Sequence, residues 1–150
     1  MKTTLSQTRM LSVMVVALIM ITMSACRVTM LPPRDAAIVA QIDAVSKSVD
    51  LLYLTMLESD SVDNRTYATY AERYINIEVE LTSLLNKNKV RPLNKNSTRI
   101  CEISLQLWQK YKEEHKLKRL LNNDVVKLYR VRMSNLFYTM QVAEKGKEEQ

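Results

Sequence analysis

The side chains with which this chain could do chemistry are few: two cysteines, Cys26 and Cys101, one histidine, His115, and 16 carboxylates in 150 residues. His115 stands in "KYKEEHKLKR" beside Glu114, the residue types of an acid and base pair or of two metal ligands. Neighbours on a helix, however, point about 100° apart and converge on nothing. Glu114 with Lys118 and Glu113 with Lys116 read as surface ion pairs, and Glu78 and Glu80 fall on different helical faces. Zinc needs three or four Cys, His or carboxylate ligands, and no spacing here gathers them. Nucleophile elbows, phosphate-binding glycine loops and HExxH pairs are absent from the sequence. The expectation is a chain that is not an enzyme, with no metal, no cofactor and no small-molecule substrate.

Aromatic spacing suggests binding instead. Tyr67, Tyr70 and Tyr74 recur at three and four residues, so they share one helical face. Each has an apolar ring and a hydroxyl that seeks a partner. They run on into Ile77, Leu81 and Leu84, so packing in a core with hydroxyls at its rim is expected. The functional alternative is a groove for a partner helix, with Trp108 and Tyr111 as its other wall.

Long helices must position these residues. After "LPP", which cannot lie inside a helix, Asp35 can cap a first helix whose Ile38, Ile42, Val45, Val49, Leu52 and Met56 form a continuous stripe. The polar break "SDSVDNRT" precedes a second helix that runs to about Asn88. "KNKVRPLNKN", with Pro92, separates it from a third helix over residues 97–120, which carries Ile100, Ile103, Leu107, Trp108 and Tyr111. "LNND" then offers Asn123 as a cap and Asp124 in the first turn of a fourth helix bearing Val125, Leu128, Tyr129, Arg132, Leu136 and Met140. Without that break, residues 97–142 would form one helix about 69 Å long, with Lys110 and Glu114 in its seam. A turn is therefore expected. Gly146 is the only glycine, which leaves little supply for tight β-hairpins. The fold expected is all-α, an antiparallel up-and-down bundle of four helices, with three as the alternative, over residues 35–142. Residues 143–150, ending "EKGKEEQ", read as a flexible tail.

The first 26 residues differ from everything after them. Lys2 and Arg9 precede an apolar run from Met10 to Met23 that ends in Ser24, Ala25 and Cys26. At 14 residues the run falls short of the ~20 that cross a bilayer and fits a secretory signal peptide, residues 1–25. Met23-Ser24-Ala25-Cys26 resembles the lipobox of bacterial lipoprotein precursors, with Met23 where that family usually has Leu. The resemblance implies cleavage before Cys26, a diacylglyceryl thioether on its sulfur, and residues 26–34 as a lipidated tether. Two or more acyl chains anchor stably where one binds only marginally. In that family Asp after the cysteine often marks inner-membrane retention, so Arg27 implies the outer membrane, on its periplasmic side or at the surface. With Cys26 acylated, Cys101 has no intramolecular partner and reads as a buried small hydrophobe.

The mature chain would hold 20 basic against 16 acidic residues, a formal charge of +4. Acids and bases are interspersed, not gathered into a nucleic-acid stripe, and no nucleic acid is expected as partner. Up-and-down topology, however, returns Lys87, Lys89, Arg91, Lys95 and Arg99 to the expected tether end, where they read either as a contact for anionic lipid head groups or as a solvated loop. In size and layout the chain resembles the small helical pilotins, lipoproteins that escort secretin subunits to the outer membrane. It carries no pilotin motif and cannot form the disulfide many of them have. The resemblance implies a binding or localisation factor for another envelope protein. The alternative is a structural or exclusion lipoprotein that self-associates or blocks a partner.

Overall fold

The computed structural model describes residues 31–147 and the single residue Met14. The other residues of 1–30, and with them the expected signal peptide, Cys26 and the start of the expected tether, lie outside the described residues, as do residues 148–150. Four long helices follow one another: α1 (Ala36–Leu57), α2 (Tyr67–Lys89), α3 (Lys95–Lys118) and α4 (Asn123–Lys145), with a short 3₁₀ turn at Val62–Asn64. The fold is an all-α bundle, and among the described residues the one β-bridge joins Thr66 to Leu120. No helix among them is long and apolar enough to cross a membrane.

Cross-helix bonds establish the directions. Gln41 near the start of α1 reaches Glu80 late in α2, Asp50 of α1 pairs with Arg130 of α4, and Glu114 late in α3 accepts from Tyr129 early in α4. Neighbours in sequence therefore run antiparallel. Packing is closest between α1 and α4 and between α2 and α3.

Local chemistry sets most helix ends. Asp35 accepts from the backbone N–H groups of Ala37 and Ile38, and Thr66 from that of Thr69. The fourth helix is capped by Asn122, one residue before the expected Asn123, with Asp124 in its first turn. Asn123 instead accepts from the Arg65 guanidinium. Two turns need left-handed backbone and obtain it from Leu93 (φ 58°) and Arg119 (φ 62°), which as non-glycine residues bear some strain. Gly146 sits at φ −76° and does not use its freedom.

The stripes of α1 and α2 are buried as expected, with Tyr53 added to the first. The phases of α3 and α4 differ from expectation. In α3 the buried line is Cys101, Ser104, Trp108, Tyr111 and His115, while Ile103 is exposed. In α4 it is Val126, Tyr129, Met133, Phe137, Met140 and Glu144, while Leu128 and Arg132 face water. Polar residues on the buried lines and apolar ones off them explain the shift.

The interior is aromatic at its middle. Trp108 packs against Tyr74 and Tyr53, and Tyr111 stacks on Tyr129 at a centroid distance of 3.7 Å. Tyr70, Tyr74, Trp108 and Tyr111 are all buried and Tyr67 half-buried, so these side chains fill the core and do not line an open groove. Trp108 also donates its indole N–H to the Tyr74 carbonyl oxygen at 3.2 Å, which satisfies the one polar atom of the largest buried side chain.

Candidate functional site

The chain enters the bundle, turns from α2 to α3 and ends α4 at the same place. Two features meet there, a buried polar cluster and a basic concavity. Glu144 is the centre of the first. Its carboxylate accepts from Arg91 at 2.8 Å and from the Asp35 backbone N–H at 3.1 Å, and it also takes a bond from Lys147. Lys147 donates in addition to the Asn94 side-chain oxygen at 2.7 Å, and Asn94 donates to both oxygens of Asn88. Arg91 further reaches the Pro33 carbonyl oxygen. Every charge in this cluster therefore has an opposite charge or a dipole against it, the condition under which burial of charge is tolerated.

Glu144 and Lys147 belong to the segment expected to be a flexible tail. Instead α4 continues to Lys145, and both side chains are almost completely buried, at 1% and 6% exposed. Their composition reads as solvated, but the basic turn from α2 to α3 supplies Arg91 and makes burial of the carboxylate favourable. The domain thus extends to residue 147.

Beside the cluster lies a concavity of about 520 Å³ lined by Lys89, Arg91, Lys95, Arg99, Asn96, Thr98 and Glu102, among others. Of the five basic residues expected at this end, Arg91 is consumed by Glu144, and Lys87 stands outside the concavity, donating to Gln41 at 2.8 Å. Lys89 and Arg99 share the single carboxylate of Glu102, at 3.9 and 3.4 Å. Lys95 is exposed at the start of α3, a helix whose N-terminus has no side-chain cap. Two cations sharing one acid, with a third beside them, leave the concavity a net positive lining.

The opposite end is closed around His115 and Arg65, both buried. His115 is fully buried, which corrects its expected place on a charged face; it continues the line of Trp108 and Tyr111 at a spacing of four. Its Nε2 lies 2.8 Å from the Arg65 carbonyl oxygen and its Nδ1 3.1 Å from the Tyr74 hydroxyl. The geometry pairs an Nε2–H donor with an Nδ1 acceptor, so neither nitrogen is open to a solute. Burial holds its pKa below the ordinary histidine value. Cys101 is likewise buried, and burial pushes its thiol pKa up to about 12, which makes it a poor nucleophile. Among the described residues no group of three His, Cys, Asp or Glu side chains could hold a metal ion.

The two ends make separate predictions. Glu144→Ala would leave Arg91 and Lys147 buried without a counter-charge and should cost about 3–5 kcal/mol. Truncation after Val142 should cost a similar amount, read from urea unfolding, whereas a tail without structural role would leave the midpoint unchanged. His115 binds a proton more readily unfolded than folded, so stability should fall as pH drops below the unfolded value of about 6.5, by at most about 1.4 kcal/mol per pH unit. As the only histidine it should own this window, and the slope between pH 6.5 and 5 should flatten in His115→Gln.

Comparison with protein families, with curated proteins and with solved structures returns no match.

Proposed function

We propose that the protein is a lipoprotein, anchored in the outer membrane through an acylated Cys26, that binds or localises another envelope protein without catalysing a reaction. What supports the reading is the coincidence of the lipobox-like motif with a basic bundle end. Leu31 follows Cys26 by five positions, and the chain then enters the bundle beside Arg91, which holds the Pro33 carbonyl oxygen. The concavity of Lys89, Lys95 and Arg99 opens at this same end. Anionic head groups attract such a cluster with about 1 kcal/mol per basic residue near the surface, and salt weakens the attraction. The end marked by Arg65, His115 and the Thr66–Leu120 bridge is then the one offered to a protein partner. A second reading, a lipoprotein that works through self-association, draws on the outward face of α4.

Replacing Cys26 with Ser removes the sulfur that would carry the thioether. Labelled palmitate should enter the wild type and not Cys26→Ser, and equal labelling of the two would overturn the lipoprotein reading. The head-group contact is tested separately, on the unlipidated compact unit Leu31–Gln150 with vesicles of graded anionic lipid content. Binding should rise with anionic content and fall with salt. It should also fall several-fold when Lys89, Lys95 and Arg99 become Gln, while Arg91, which the fold needs, is kept. Binding indifferent to all three would remove the membrane role of this end.

A further inference from the structure

The fourth helix has two apolar faces. One is the core line of Tyr129, Met133, Phe137 and Met140. Opposite it, Leu128, Val131, Tyr138 and Val142 stand between 44% and 69% exposed, with Asn135 between them. Their spacings of three, four, three and four are those of a coiled-coil seam, held here on the solvent side of a folded bundle. Asp124 continues the seam at its start and Lys145 at its end, both exposed. The whole stripe spans about 32 Å at 1.5 Å per residue. On α2, by contrast, the outward face offers only Ile75 and Val79.

The stripe reads nearly the same in both directions about Asn135, and its ends carry opposite charge. We infer that it is the contact face of a homodimer in which two copies of α4 pair antiparallel across a twofold axis near Asn135. In that arrangement Leu128 of each copy meets Val142 of the other and Val131 meets Tyr138. Asp124 comes within one turn of the second copy's Lys145, twice by symmetry. No ion pair among the described residues engages either of these two charges within the monomer. A parallel pair would set Asp124 against Asp124 and Lys145 against Lys145, and would bring the flanking Lys127 and Arg132 towards each other. Antiparallel pairing also opposes the two helix dipoles. Asn135 is the polar residue in an otherwise apolar seam, and facing its own copy it specifies register at some cost in affinity. The isologous contact closes at two subunits. It does not depend on whether Cys26 is acylated.

Sedimentation equilibrium of the full chain in density-matched detergent tests the inference. The expected result is a reversible monomer–dimer equilibrium that Val131→Glu weakens by about tenfold or more, by burying a charge at two symmetric places. Because Val131 is exposed in the monomer, the thermal melt of the variant, monitored by circular dichroism at a concentration where the wild type is monomeric, should match that of the wild type; if it does not, Tyr138→Lys takes its place. Asp124→Lys and Lys145→Asp should each weaken the dimer, and the double change should restore it, which a parallel pair would not do. A chain that stays monomeric to concentrations on the order of 1 mM, the weak limit of specific association, overturns the inference. So does a dimer indifferent to Val131→Glu and Tyr138→Lys, or a double charge change no stronger than the singles.

Discussion

One carboxylate closes this bundle. Glu144 lies far from Asp35 and Arg91 in sequence, yet it accepts from both, and so it ties the chain entry, the α2–α3 turn and the end of α4 to a single point. Stripes of apolar side chains bring helices together but specify their axial positions weakly, since one turn of slippage still buries oil against oil. A buried charge tolerates no such slippage, because a displaced partner leaves it desolvated and unpaired. Lys147, Asn94 and Asn88 extend the same constraint, so the end of the bundle where the chain enters α1 is held by polar geometry more than by hydrophobic area.

At the far end a buried imidazole and a buried guanidinium supply the same constraint. His115 is threaded between the Arg65 carbonyl and the Tyr74 hydroxyl, and Arg65 in turn reaches Asn123 and the Leu57 carbonyl. All four helices and the α1–α2 link are thereby registered, with the buried Arg65 guanidinium held by an amide and a carbonyl oxygen and no carboxylate. Between the two ends the aromatic middle contributes area and few directional bonds, with the indole of Trp108 as the exception. The rigidity of the molecule therefore resides in two polar clamps joined by an apolar column.

Such a scaffold leaves its chemistry on the outside. Cys101 and His115 are both interior, while the exposed features are a basic concavity beside the start of α1 and an apolar seam along α4. Both are surfaces for contact, one suited to anionic head groups and the other to a second copy. An antiparallel pair would carry a basic concavity at each extremity, beside the Arg65 and His115 end of the other copy. The two proposed contacts rest on different helices and different physics, charge in one case and desolvation in the other.

By itself the sequence determined the helix count, the breaks and two of the four buried faces. Proline, polar runs and caps act locally, and the stripes of α1 and α2 are apolar on one side only, so periodicity has a single solution there. It also located the basic end, since up-and-down connection returns the Lys87 to Asn96 link to the start of α1. The tertiary structure decided the rest. In α3 the buried line includes Ser104, which bonds the Ile100 carbonyl of its own helix, and His115, and in α4 it includes Glu144; burial of the last two is favourable only once distant partners such as Tyr74, Arg65 and Arg91 are in place. The last helix also carries two apolar faces, and a count of hydrophobic positions cannot say which one turns inward. That choice depends on which face fits the existing column of Tyr53, Trp108 and Tyr111 and lets a carboxylate at its end reach Arg91. This is a matter of complementarity between helices, which no single helix encodes.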